Sequence, residues 1–86
     1  MYYTYILESL SNGQLYIGQT NNLSARLERH NKGFVKSTRH KRPWTMIHYI
    51  ESETRAQAVQ LESKLKRFKN PQKVKEWISN NRKQSR

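Results

Sequence analysis

The 86-residue sequence contains no cysteine and no aspartate. Without Cys, neither a disulfide framework nor a thiolate zinc site can staple the fold. Without Asp, the acidic residues are six scattered glutamates, which works against any dense carboxylate cluster of the kind that holds two metal ions. No apolar run approaches the ~18 residues that a bilayer span requires. The opening Met1–Leu10 stretch lacks both the basic and the apolar regions of a signal peptide. The expectation is a soluble, cytoplasmic protein without membrane partners. Apolar residues are scarce too, at 34%, so the core must be small. Two Trp, five Tyr and two Phe offset this, because each aromatic buries a large area.

What the chain has in excess is positive charge. Seventeen Lys and Arg face the six acids, for a formal net charge of +11. That balance costs stability through self-repulsion and is typical of proteins with polyanionic partners. An acidic membrane surface or acidic protein could also serve, but nucleic acid is the partner best matched. The cations are spread along the chain, which implies a charged face on one folded domain and not a tail.

Residues Tyr2 to Leu7 are aromatic and β-branched and read as a strand. Asn12-Gly13 signals a type I′ hairpin, after which Leu15-Tyr16-Ile17 resumes strand character. Gly18 and the polar run to Asn22 end that strand and offer N-caps. Leu23, Ala25, Leu27 and His30 follow at helical spacing, with Asn31-Lys32-Gly33 as the stop. The stretch from Phe34 to Arg42 is a basic, hydroxylated loop, and Trp44 to Ile50 alternates as a third strand. Thr54 and Gln57 form a capping box before Ala58, Leu61, Leu65 and Phe68, which predicts a helix from about Thr54 to Phe68. Asn70-Pro71 starts a last helix carrying Val74, Trp77 and Ile78. The expected class is α+β, in the order β-β-α-β-α-α: a small, largely antiparallel three-stranded sheet flanked by helices. The domain would cover residues 1–78, with 79–86 a basic, disordered tail.

Phosphodiester cleavage needs a deprotonated water, neutralised phosphoryl charge and a stabilised leaving oxygen. One Mg²⁺ or Mn²⁺ on a single carboxylate, water and phosphate oxygens is the arrangement this composition permits. Glu62 borders the apolar stripe of its helix among Lys64, Lys66 and Arg67, whereas the other glutamates fall at turns, caps or outward faces. Each candidate also has a plainer account. Glu62 could simply pair with Lys66 at i, i+4, Arg26 and His30 could form a solvated basic face, and Tyr5 and Tyr16 could be an ordinary cross-strand pair. His48 reads as structural, and Trp44 and Trp77 as core.

Taken together, these residues form a pattern. Tyr16-Ile17-Gly18 stands on the second strand of an N-terminal hairpin, Tyr5 precedes it, Arg26 and His30 follow, and Glu62 lies on a later helix. With its MYYTYIL start and its LYIGQTNNLSARLERHN and LESKLKRFK stretches, the chain resembles the GIY-YIG nuclease family from Tyr2 to about Ile78. The likeness is to the small stand-alone members. The family also includes homing endonucleases, restriction enzymes and the N-terminal nuclease of the excision-repair incision subunit. The first motif departs from the family pattern, reading Tyr3-Thr4-Tyr5, so only its tyrosine survives. Asn70 is misplaced for a family asparagine and is assigned to capping.

The resemblance implies Tyr5, Tyr16, Arg26, His30 and Glu62 as catalytic residues, with Glu62 holding one Mg²⁺ or Mn²⁺. It implies Tyr5 or Tyr16 as the general base or its orienting group. A free tyrosine is only about 0.1% ionised at pH 7, so the base must be helped by Arg26, by the metal or by His30. Lys36, Thr38 and Arg39 match a basic patch of the small members, and with Lys41 and Arg42 they are the expected phosphate contacts. The implied activity is a structure-selective or weakly specific DNA endonuclease acting as a monomer, DNA being favoured over RNA, with a protein partner for targeting possible. The alternatives are a non-catalytic nucleic-acid-binding module of the same fold and a basic domain for an acidic protein partner.

Overall fold

The computed structural model describes residues 1–81. Strand β1 (Tyr2–Ser9) lies at the centre of a three-stranded sheet of order β2-β1-β3, with β2 spanning Leu15–Thr20 and β3 Trp44–Ser52. Both pairings are antiparallel. The helices are α1 (Leu23–Asn31), α2 (Arg55–Lys66) and α3 (Pro71–Asn81), giving the expected α+β order. A single 3₁₀ turn at Arg39–Lys41 interrupts the basic loop.

The β1–β2 connection differs from the expected hairpin. The strands end at Ser9 and Leu15, leaving a five-residue loop from Leu10 to Gln14. Gly13 has φ of +77°, but Asn12 is not in the left-handed region, so a type I′ turn is excluded. Side chains shape the loop instead. Ser9 Oγ accepts from the backbone N–H groups of Ser11 and Asn12, and Asn12 Oδ1 accepts from Gln14 N–H.

Helix termini follow the expected chemistry. Asn22 caps α1 by accepting from Ala25 N–H, and Thr54 and Gln57 complete the capping box of α2. Helix α3 continues three residues past Ile78 to Asn81, where the Asn81 amide donates to Trp77 C=O. The remainder of the expected tail, residues 82–86, lies outside the described residues. Pairing between β1 and β3 runs from Tyr2↔Ser52 to Ser9↔Trp44. This length places Glu8 and Glu51 on strands and not at turns, and Glu8 meets Lys75 of α3 at 2.8 Å.

Each sheet face has its own core. Ile6 and Ile17 pack with Leu65, Val74 and Ile78 on the side of α2 and α3. Tyr5, Leu7 and Trp44 pack with Tyr16, Leu23, Leu27 and Met46 on the side of α1. A fully buried aliphatic side chain contributes about 1.5–3 kcal/mol, so the nine buried apolar residues among those described make a core of modest size. The buried Thr4 hydroxyl donates to Ala58 C=O at 2.9 Å and stitches the central strand to α2. Asn31, at the end of α1, bonds both the N–H and the C=O of Trp44, at 2.7 and 3.0 Å, and fixes α1 against β3.

Candidate active site

Tyr5 sits on the middle strand facing the α1 side, with its ring laid against Gly18 on β2, its cross-strand partner. Tyr16 lies on the same face, 6.4 Å away between ring centroids. Their proximity is therefore sheet packing, as its plainer account held, but it also builds a wall. Tyr16 meets the His30 ring edge-on at 4.9 Å and the Trp44 ring at 6.3 Å.

His30 is the one buried residue of α1, at 0% exposure, so a solvated basic face does not describe it. Its Nε2 lies 2.9 Å from Tyr5 Oη, and its Nδ1 lies 2.8 Å from Thr38 Oγ1. Arg26, one helical turn earlier and half-buried, acts electrostatically on both Tyr5 and His30. Burial, then Arg26 and Arg29, lowers the His30 pKa to about 4, so the imidazole is neutral at pH 7. Burial raises the Tyr5 phenol well above the ordinary tyrosine range. Tyr16 and Glu62 push in the same direction, and Arg26 opposes them.

Glu62 stands on α2, and its charge adds a small upward push on the Tyr5 phenol. It also pairs with Lys66 at 2.8 Å, the simple i, i+4 partner, but its side chain is only 20% exposed against 53% for Lys66. Among the described residues no group of three or more His, Cys, Asp or Glu side chains could hold a metal ion. Glu62 carries a hard oxygen donor of the kind that Mg²⁺ takes with water and phosphate oxygens completing its shell. Tyr5, Tyr16 and His30, distant in sequence, meet through their rings and one hydrogen bond, and Arg26 and Glu62 act on Tyr5 electrostatically.

Thr38 departs from expectation. Placed by sequence among the phosphate contacts, it is 1% exposed and turned inward onto His30. Trp44 Nε1–H donates to its C=O at 2.9 Å, locking the loop to β3. Lys36, Arg39 and Arg42 are exposed and Lys41 half-buried, and none forms an ion pair among the described residues. Phe34 was missed. It is 64% exposed at the start of the same loop, with the Arg29 guanidinium 6.0 Å from its ring centroid. An aromatic residue opening a basic run was the available signal.

Trp44 is core, and Trp77 packs half-buried against the α3-side cluster. Asn70 caps α3, its Oδ1 accepting from Gln72 N–H at 2.8 Å. A groove of about 360 Å³ runs between β2 and the α2–α3 turn, lined by Tyr16, Leu65, Lys66, Lys69 and Val74 among others. No helix among the described residues is long and apolar enough to cross a membrane.

The fold is α+β, an antiparallel three-stranded sheet flanked by helices, with the Tyr5–His30 pair on its α1 face. The family model described as "GIY-YIG catalytic domain" matches residues 1–76, and the chain belongs to that nuclease family, whose substrates are nucleic acids. The chain is similar to the UPF0213 protein of Staphylococcus aureus (strain Mu3), at 31% identity over 75 residues, covering 86% of this chain and 90% of that protein. It is also similar to the UPF0213 protein of Staphylococcus haemolyticus (strain JCSC1435), at 33% identity and the same coverage. No solved structure matches the chain.

Proposed function

We propose that this protein is a Mg²⁺- or Mn²⁺-dependent endonuclease that hydrolyses phosphodiester bonds of DNA by a one-metal mechanism. The observation that carries this reading is the buried 2.9 Å contact between Tyr5 Oη and His30 Nε2 beside Arg26 and within the field of Glu62. A tyrosine whose phenol is pushed upward cannot persist as phenolate at neutral pH. It can act as a base only if it passes on its own proton as it takes another. His30, neutral at pH 7, supplies the acceptor.

In the proposed step, substrate binding opens the Tyr5 hydroxyl, closed off in the free protein, to the attacking water, and Tyr5 Oη removes a proton from that water while the Tyr5 proton moves to His30 Nε2. The water oxygen forms the new bond to phosphorus, the opposite P–O bond breaks, and the leaving alkoxide takes a proton from solvent. Arg26 pairs with the phosphoryl oxygens as negative charge builds on them. A phosphate held there also offsets the guanidinium that suppresses His30 protonation, which raises the proton affinity of His30 when substrate is present. Tyr16 orients the water. A divalent ion on Glu62 would neutralise phosphoryl charge and stabilise the leaving oxygen.

The exposed cations Lys36, Arg39 and Arg42, with Lys41, track the backbone without reading sequence, and Phe34 offers a stacking face to an unpaired base. This supports a structure-selective or weakly sequence-specific activity. The test is incubation of wild type and Glu62→Ala with duplex, flap, fork and single-stranded DNA, and with RNA, in Mg²⁺, Mn²⁺ or EDTA. Metal-dependent DNA cleavage that vanishes in the variant is expected. Binding without cleavage by either protein would overturn the enzyme in favour of a binding module.

A further inference from the structure

We propose that Thr38 is a positioning residue for this reaction: its hydroxyl holds His30 in the Nδ1–H tautomer, so that Nε2 faces Tyr5 as a proton acceptor. The proposal rests on the reading of Tyr5 and His30 as the proton-accepting pair.

A neutral imidazole carries one N–H donor and one acceptor nitrogen, and its neighbours decide which is which. Both neighbours of His30 are hydroxyls, each able to donate or accept. In one arrangement Nδ1–H donates to Thr38 Oγ1 and Tyr5 O–H donates to Nε2. In the other, Thr38 O–H donates to Nδ1 and Nε2–H donates to Tyr5 Oη. The second would block catalysis, because the nitrogen facing Tyr5 would already hold a proton.

Two features favour the first. Tyr5 is 1% exposed, and its hydroxyl has no hydrogen-bond partner other than His30 Nε2 among the described residues. If Nε2 donated, the Tyr5 proton would be buried without an acceptor, a cost of about 1–3 kcal/mol. Thr38 has an outlet that Tyr5 lacks, since its hydroxyl also lies 3.4 Å from Val35 C=O and donates there. With that proton directed to Val35, Thr38 Oγ1 presents a lone pair to Nδ1–H. The chain of donors then runs one way, from Tyr5 to His30 to Thr38 to Val35.

Thr38 is held firmly enough to impose this. Its N–H donates to Val35 C=O at 3.1 Å, and its C=O accepts from Trp44 Nε1–H and Lys41 N–H. When His30 takes the Tyr5 proton, the Nδ1–H bond to Thr38 persists, so the imidazolium forms without rearrangement. The loop thus has two faces: its exposed cations meet substrate, and its inward threonine sets the base.

The experiment compares wild type, Thr38→Val and Thr38→Ser. Thr38→Val keeps the shape and removes the hydroxyl, and Thr38→Ser restores it. Imidazole ¹⁵N spectra of the metal-free, substrate-free proteins at pH 7 report the tautomer directly. The expected result is a protonated Nδ1 at His30 in wild type and in Thr38→Ser, and a shift toward protonated Nε2 in Thr38→Val. Cleavage should show kcat reduced about 10- to 100-fold in Thr38→Val with KM little changed, and recovered in Thr38→Ser. A protonated Nε2 in wild type, or a Thr38→Val protein with unaltered tautomer and kcat, would overturn the proposal. If the spectra follow expectation but wild type cleaves nothing, the nuclease reading fails and the proposed catalytic role goes with it, while the tautomer assignment survives.

Discussion

Tyr5 and Gly18 are in such close apposition across the β1–β2 pair that a Cβ at position 18 would lie 2.5 Å from the Tyr5 hydroxyl oxygen and 2.7 Å from the ring carbon bearing it. The glycine of the second motif is therefore a space requirement imposed by the tyrosine of the first. Gly18→Ala is expected to push the phenol off His30, lowering kcat about 100-fold or more, with an overpacking cost of about 1–3 kcal/mol. Steady-state cleavage kinetics and urea denaturation measure the two effects separately. Tyr5→Phe should reproduce the kinetic loss while leaving the ring seated on Gly18.

Glu62 and Lys66 form an ion pair that contributes little to folding, since its lysine is half-exposed and exposed i, i+4 pairs are worth about 0.3–0.5 kcal/mol. Glu62→Gln should accordingly abolish metal-dependent cleavage while changing thermal stability by no more than a few degrees. Chelation should silence wild type to the level of the variant. Parallel melting curves and activity assays check this, and a variant that cleaves normally would remove Glu62 from the site.

His30 links stability to pH. Its folded-state pKa is lowered from 6.5 to about 4, so between these values the unfolded chain binds more protons than the native one. The contribution is complete above pH 6.5 and is lost as pH falls toward 4. At about 1.4 kcal/mol per unit, the loss is roughly 3 kcal/mol. Denaturation at a series of pH values should show this acid slope in wild type and a flatter one in His30→Gln.

The basic loop gives separable effects on binding. Lys36→Ala and Arg39→Ala should each reduce the slope of log affinity against log salt by about 1, uniformly across DNA sequences. Phe34→Ala should leave that slope intact but weaken single-stranded binding about fivefold or more, with less effect on duplex. Fluorescence anisotropy in EDTA, where no cleavage intrudes, distinguishes the two patterns.

Asn31 makes a structural counterpart. Its amide bonds both backbone groups of Trp44, so Asn31→Ala should cost about 1–3 kcal/mol, seen as a lower urea midpoint with unchanged slope.

Much of this was written locally. The capping box at Thr54 and Gln57, the Asn22 cap and the apolar spacing of Leu61, Leu65, Val74 and Ile78 set the helices, because capping and amphipathic periodicity act within a few residues. Charge and the absence of Asp and Cys limited the chemistry, and the order of Tyr5, Tyr16, Arg26, His30 and Glu62 carried the family resemblance. The hairpin turn was misjudged because Ser9, outside the Asn-Gly pair, organises the loop. Thr38 looked like one more hydroxyl in a basic run, since nothing in its neighbours' identities shows that Trp44 and His30 draw it inward. The sequence by itself determined which residue types were available and on which elements they stand. Only the tertiary structure decided that His30 is buried and neutral, that Tyr5 bonds to it, and that Thr38 stands behind it. Burial, proton affinity and hydrogen-bond direction belong to groups brought together from distant positions, and local sequence does not encode them.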